Sequence, residues 1–270
     1  MTDNREYDCL LESINRLYGY DFKNYAEASL KRRMQSFMSK KEIESLTDLE
    51  HSLTGSEDTF IEFVEELSVT VTEMFRNPSF YVRLRETVVP RLVTYPFIKI
   101  WVAGCATGQE VYSLAIMLRE VGLSDRSIIY ATDINQKSLL VAKEGIYNVD
   151  NMQLYTSNYQ KSGGEGTFSD YYKANYGGVL FSPSLRENVV FAHHNLAIDQ
   201  SFNEFQLILC RNVLIYFNQT LQNKVFNLFY ESLCPFGFLG LGDKETLLFY
   251  DNKNLFEEID RKEKVYRKLK

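Results

Sequence analysis

Four residues in the middle of this 270-residue chain have the types and spacing to hold a nucleoside that carries an ammonium group. Gly104 and Gly108 bracket a turn of small residues, Gly104-Cys-Ala-Thr-Gly108. Glu110 falls in the first turn of the helix that would follow, and Asp133 stands at the end of the next apolar run. Strand, turn, helix and a second strand ending in an acid outline one nucleoside-binding βαβ unit. Dinucleotide sites use G-x-G-x-x-G because the backbone closes on a pyrophosphate at a helix start. Here only two glycines are present, and Glu110 would repel a diphosphate. The pattern suits S-adenosylmethionine: Glu110 for the amino-acid end with its ammonium, Asp133 for the paired ribose hydroxyls. A tight turn and an ordinary capping acid would account for the glycines and Glu110; Asp133 at the next strand end tips the reading to a cofactor.

The elements that must position these residues follow from periodicity. Apolar runs predict strands near Ile98 to Ala103, Ile128 to Thr132, Asn188 to Ala192, Phe205 to Cys210, Phe238 to Leu241 and Lys264 to Leu269. Helices fall between them at Glu110 to Val121, Gln136 to Gly145 and Asn218 to Leu233. Alternation of this kind means an α/β unit on a mainly parallel sheet. Ahead of it, Tyr7 to Tyr18, Asn24 to Met38, Ser45 to Leu53 and Glu57 to Leu67 each carry apolar positions three or four apart, a small helical domain over residues 1–78. Another helix-rich stretch, Pro78 to Val93, leads into the second domain, residues 79–270. Residues from about 147 to 187 break the rhythm with Ser162-Gly-Gly-Glu-Gly, Tyr176-Gly-Gly and many tyrosines. They read either as an inserted antiparallel β-subdomain of short strands and turns, or as a long surface excursion.

A composition of 45% hydrophobic and 24% charged residues is that of a folded globular chain. The polar start and the lack of any apolar run of membrane-spanning length predict no membrane insertion and a cytoplasmic location. A formal charge of −6 argues against nucleic acid as a partner, since phosphate neutralisation needs a broad cationic surface. Cys9, Cys105, Cys210 and Cys234 are dispersed and form no C-x-x-C pair, so neither a disulfide nor zinc is expected. His193 and His194 are adjacent on an extended segment and point to opposite faces, which suits no metal site. Charge is uneven in the helical domain. Lys23, Lys31, Arg32, Arg33, Lys40 and Lys41 fall together, while Glu42 to Glu73 carries acids only. The cluster is placed to meet an acidic helical partner, or is simply a solvated face. Lys244 and Glu245, near the end of the fifth strand, either line the substrate cleft or read as rim charges, the second being preferred.

Several separated motifs converge on one family: Thr70-Val-Thr72-Glu-Met-Phe75-Arg76-Asn-Pro78, Gly104 through Ala115, Ala131-Thr-Asp133-Ile-Asn135, Asn195-Leu196, and Cys210-Arg211-Asn212-Val-Leu-Ile-Tyr216-Phe217. Together they resemble the CheR family, S-adenosylmethionine-dependent methyltransferases that esterify glutamate side chains of bacterial chemoreceptors. The resemblance covers nearly the whole chain. It implies a Rossmann-like class I methyltransferase domain with an N-terminal helical domain and a small inserted antiparallel β-subdomain. It also implies that Thr70, Thr72 and Arg76 reach the site from the segment joining the domains, and that Glu110 and Asp133 hold the methionine end and the ribose. Asn195 and Leu196 would lie beside the adenosine, Arg211 and Asn212 beneath the cofactor, and Tyr216 near the transferred methyl. The sequence departs from the family pattern at Gln109, Thr70, Gln206 and Asp243-Lys244-Glu245, positions that bear on the substrate more than on the reaction.

The expected reaction carries the methyl of S-adenosylmethionine to a glutamate carboxylate, leaving S-adenosylhomocysteine. A Glu side chain with pKa near 4.3 is ionised at neutral pH, so no general base is required. Alignment and a dry site are what the enzyme must supply. Arg76 would fix either the substrate carboxylate or the cofactor carboxylate by the same charge-assisted geometry. The Tyr216 ring would wall the methyl. The partner expected is an acidic helical segment of a chemoreceptor-like or other signalling protein, and the chain is expected to be a monomer. The alternatives are the same fold acting on another acceptor, or a cofactor-binding regulatory module without turnover.

Overall fold

The computed structural model describes residues 2–68, 71–175 and 177–270. The chain opens with α1 (Thr2–Tyr18), α2 (Glu27–Lys41), α3 (Leu46–Gly55) and α4 (Glu57–Leu67). Leu30, Met34, Phe37 and Met38 of α2 close on Leu49 and Leu53 of α3 and on Phe60, Phe63 and Val64 of α4, the stripe that the 3.6-residue period sets up. Ser45 and Ser56 start α3 and α4 by accepting the N–H of Asp48 at 3.1 Å and of Thr59 at 3.2 Å, caps worth about 1 kcal/mol each.

The helix-rich stretch expected over 78–93 is α5 (Pro78–Arg83), a π-helical turn Leu84–Val88, and α6 (Val89–Leu92). Pro90 explains the turn. Its nitrogen has no hydrogen and its ring crowds the carbonyl one turn back, so the helix widens and the Val89 N–H reaches Leu84 O.

The rest runs β1 (Ile98–Ala103), α7 (Gln109–Glu120), β2 (Ser127–Asp133), α8 (Gln136–Glu144), β3 (Ile146–Asn148), α9 (Met152–Lys161), β4 (Tyr172–Asn175), β5 (Gly178–Phe181), β6 (Val189–His193), β7 (Phe205–Cys210), α10 (Gln219–Ser232), β8 (Leu233–Leu241), β9 (Phe256–Asp260) and β10 (Val265–Lys268). The main sheet has the order β6-β2-β1-β7-β8-β10-β9. It is parallel from β6 to β8, and β10 is antiparallel to both its neighbours. Along β1, Ile98, Ile100 and Val102 face the layer that holds α5 to α7, while Trp101 and Ala103 face α10, so the strand is buried on both sides. The order reverses between β1 and β7, and a ligand crevice is expected there at the carboxyl ends of the strands.

The mainly parallel sheet and the small antiparallel sheet, ordered β3-β5-β4, are present as read from the sequence. Three details differ. The insertion is not strands and turns throughout, because Met152–Lys161 is a helix that buries Met152, Tyr155 and Tyr159. Strand β8 begins at Leu233, where the helix was expected to end, five residues ahead of the strand expected from Phe238, and passes Pro235 with Phe236 at φ 64°. Strand β9, FEEID, was not expected as a strand; it pairs with β10 at the edge of the sheet, where charged residues are tolerated. Among the described residues no helix is long and apolar enough to cross a membrane.

Candidate active site

A cleft with about 1200 Å³ of free space, including its open mouth, lies at the carboxyl ends of β1, β2 and β7 and is closed from above by the helical domain. Its walls bring together Thr72, Arg76, Gly104, Glu110, Asp133, Asn195, Leu196, Arg211, Asn212 and Tyr216. Thr70, expected in the same set, lies outside the described residues.

Register places the acidic strand tip beside the glycine turn. Ala103 pairs with Thr132, so the chain leaves β1 at Gly104 level with Asp133. The N–H groups of Gly104 and Cys105 both donate to Thr132 O, at 2.8 and 2.9 Å. Gly104 has φ +77°, and a Cβ there would meet Val213 Cγ2 at 2.4 Å, so neither the backbone nor the space admits a side chain. Asp133 accepts the Ala106 N–H on Oδ2 and the Asn135 N–H on Oδ1, both at 2.8 Å. Burial raises the pKa of this carboxyl above the ordinary aspartate value, and the backbone N–H groups pull it back in part. A carboxylate so placed has lone pairs left for hydroxyl donors.

Glu110, in the first turn of α7, pairs with Arg211 at the end of β7: Nη1 donates to Oε1 at 2.7 Å, with both side chains largely buried. Arg211 Nη2 donates to Arg76 O at 2.9 Å and to Asn77 Oδ1 at 3.1 Å, and the guanidinium lies 4.1 Å from the centre of the Phe80 ring. The expectation placed Arg211 beneath the cofactor. It does line the cleft, and it also ties the interdomain segment, α7 and β7 to one another.

Arg76 has a different environment. Its side chain is half-buried, and a long 3.5 Å bond to Val71 O is its one polar contact among the described residues. Tyr216 ends a 3₁₀ turn, Leu214–Tyr216, with its hydroxyl free of hydrogen bonds among the described residues. The Arg33 guanidinium lies 6.0 Å from the Tyr216 ring centre. Asn195 is buried, and its Oδ1 accepts the Ala197 N–H at 3.0 Å, so the side chain shapes the turn that presents Leu196.

Sequence reasoning did not foresee how much the helical domain contributes. Phe22, Tyr25, Ala26, Ser29, Leu30 and Arg33 all line the cleft. The domains are joined at this point by Ala26 N–H to Tyr216 O at 2.7 Å, Asn218 N–H to Asn24 O at 2.9 Å and a Tyr25–Phe217 bridge, with Lys137–Glu65 at 3.2 Å beside them. The inserted subdomain braces the site from the other side. Tyr147 donates to Thr107 O at 2.7 Å within the glycine turn, and Asn158 donates to Met74 O at 3.1 Å.

The basic cluster is less free than its sequence suggests. Lys23, Lys31 and Lys40 pair with Glu12, Glu27 and Glu66 at 2.9, 2.7 and 2.6 Å, and Lys41 pairs with Glu62. Arg33 turns inward to Glu66 O and Ser68 O, and Arg32 is exposed. Glu245 is not a rim charge: it is 4% exposed and accepts backbone N–H groups of the Asn212–Leu214 loop. Gln206 takes a structural part, accepting the Lys99 N–H at 2.7 Å, and Gln109 accepts from the Thr107 hydroxyl at 2.7 Å. His193 meets the Tyr20 hydroxyl at 3.0 Å, whereas the His194 ring packs against Trp101 and Phe202.

The donor set fits S-adenosylmethionine: carboxylates at two corners of the cleft, and apolar and aromatic walls from Phe22, Tyr25, Ile134, Leu196 and Phe217 between them. Comparison with known proteins agrees. Residues 70–265 match the CheR methyltransferase SAM-binding domain, and residues 5–68 match the CheR methyltransferase all-alpha domain. A Pseudomonas putida protein named "Putative methyltransferase Cher3" is 46% identical, covering 99% of this chain and 100% of its own length. Proteins named chemotaxis protein methyltransferase from Listeria innocua and chemotaxis protein methyltransferase 1 from Vibrio cholerae are each 31% identical, covering 90% and 98% of this chain and 91% and 96% of their own. With both domains matched in order and the glycine turn, acidic strand tip and Arg-Asn loop assembled around one cleft, the chain belongs to the CheR family of S-adenosylmethionine-dependent methyltransferases.

Proposed function

We propose that this chain methylates glutamate side chains of a chemoreceptor-like signalling protein, forming the methyl ester and S-adenosylhomocysteine, with residues 1–78 meeting the acceptor and residues 79–270 holding the donor. The observation that carries the reading is the pair Arg76 and Tyr216. A guanidinium without an ion-pair partner and a phenol without a hydrogen bond, among the described residues, line the same cleft. Such groups suit an incoming carboxylate.

When bound, S-adenosylmethionine supplies an electrophilic methyl. The residues of this chain do the rest. Asp133 offers its remaining lone pairs to the ribose hydroxyls, and Glu110 offers its second oxygen to the amino end. Thr72 lines the same wall, and Asn195 and Leu196 border the base. Arg211 and Asn212 form the floor. Tyr216 walls the reacting centre and turns its hydroxyl toward the acceptor carboxylate, which needs no base because it is already ionised. Holding two reactants in line contributes on the order of 7 to 11 kcal/mol in well-oriented systems. The helical domain excludes water over the same atoms.

An acidic helix is the acceptor best matched to α2. The exposed Arg32 sits beside lysines in surface ion pairs worth about 0–1 kcal/mol, so those pairs exchange readily for an incoming carboxylate. Esterification removes one negative charge from such a helix, an electrostatic change able to bias a signalling equilibrium.

The test is methyl-labelled S-adenosylmethionine with the purified chain and the helical cytoplasmic part of a receptor. Label released as methanol by mild base is expected, because esters hydrolyse there. Base-stable label, or none, overturns the proposal.

A further inference from the structure

We infer that Glu245 is a positioning residue for methyl transfer: its buried carboxylate sets the backbone of Asn212, Val213 and Leu214 and thereby the place of Tyr216 in the cleft. The kinetic part of this inference rests on the function proposed above; the structural part does not.

Four backbone N–H groups converge on this one side chain. Oε1 accepts from Val213 at 2.8 Å and Leu214 at 2.7 Å, and Oε2 accepts from Asn212 at 3.0 Å and Gly242 at 2.6 Å. No cation forms an ion pair with Glu245 among the described residues; the aligned N–H dipoles solvate its charge at contact, and the Arg211 guanidinium acts on it from farther off. Asn212 is held at φ +62°, a backbone state with a cost for a residue with a side chain, and it persists only where its surroundings fix it. Gly242 permits the approach: a Cβ there would lie 2.8 Å from both Asn212 N and Glu245 Oε2.

What the loop carries makes the arrangement more than a turn closure. Directly after the three held amides, the chain bends through Leu214–Tyr216, with Tyr216 N–H on Val213 O at 3.1 Å, and delivers the Tyr216 ring to the cleft. The start of the loop is fixed by the Arg211 side chain on Glu110 and its end by Ala26 N–H on Tyr216 O. Glu245 fixes the middle. Burial raises its pKa above the ordinary glutamate value, and the four N–H bonds oppose the rise.

Glu245→Gln keeps the shape but offers an NH₂ to amides that need an acceptor. Its kcat is expected to fall roughly 10²-fold, the scale of an ångström-level misplacement of a reacting group. Affinity for S-adenosylhomocysteine, read by calorimetry, should change far less. Glu245→Asp, which keeps the charge on a shorter stem, should recover part of the loss and serves if the Gln variant does not fold. The decisive comparison is with Tyr216→Phe: if Glu245 acts through Tyr216, the double variant is no slower than the slower single variant. Full additivity, or a Gln variant with the parent kcat, overturns the inference. Amide hydrogen exchange at 212–214 should accelerate in the Gln variant, and unchanged protection also overturns it. A parent chain that transfers no methyl ester defeats the proposed function instead, and the exchange measurement still decides whether Glu245 holds the loop.

Discussion

Arg211 and Glu110 meet at 2.7 Å inside the wall of the cleft, joining the end of β7 to the first turn of α7. With its second nitrogen on Arg76 O and Asn77 Oδ1, Arg211 makes three chain segments share one guanidinium. Breaking a buried pair leaves an uncompensated charge, which typically costs about 3–5 kcal/mol. Glu110→Ala is expected to destabilise the fold by roughly 3 kcal/mol and to weaken cofactor binding. Urea denaturation with and without S-adenosylhomocysteine measures both, and an unchanged midpoint would refute the assignment.

With the ribose on Asp133, as proposed above, the affinity acquires a pH dependence of definite sign. The pKa of Asp133 in the fold is raised by burial. Its contribution to stability is therefore complete below the unfolded value near 3.9 and declines as pH rises through the folded value. Ribose hydroxyls donate to the ionised form, so S-adenosylhomocysteine affinity should rise with pH over that same interval as binding releases a proton. Calorimetry in buffers of different ionisation enthalpy detects the proton. In Asp133→Asn the pH dependence from this residue should vanish together with much of the affinity.

Tyr216→Phe removes a hydroxyl that has no partner within the chain among the described residues, so little stability should be lost. A hydrogen bond to a charged group is worth about 1.5–3 kcal/mol, which sets the expected fall in kcat at about 10- to 100-fold. Calorimetry should find cofactor affinity retained. Loss of affinity with kcat intact would move Tyr216 out of its assigned place.

At Gly104 a methyl group would press on Val213 at 2.4 Å from a backbone at φ +77°. Gly104→Ala should lower Tm and slow turnover together, because the displaced Val213 belongs to the loop that ends at Tyr216. Gly55, where a Cβ meets nothing within 4 Å, is the control. Its replacement by Ala should leave both quantities at or slightly above those of the parent.

The strands β1, β2 and β7 and the acids Glu110 and Asp133 were legible because buried parallel strands are unbroken apolar runs, and because a small-residue turn with an acid after it and a second acid at the next strand end has few other uses. Helix α9 was not, since Thr156, Ser157 and Asn158 are weak helix formers next to a glycine cluster, and packing of Tyr155 and Tyr159 overrides that preference. Strand β9 was hidden by its charges, which belong to an edge. The role of Glu245 was invisible for another reason: the Asn212–Leu214 amides it holds lie 31 to 33 residues away. Lys40 and Lys41 of the basic cluster read as free because their partners, Glu66 and Glu62, sit on a different helix that folds back against them.

A crystal structure of the chain with S-adenosylhomocysteine tests the central claim most directly. The account predicts the ribose hydroxyls on Asp133, the amino end beside Glu110 and the sulfur facing the Tyr216 ring. Product bound elsewhere, or bound with the ribose turned away from Asp133, would contradict it.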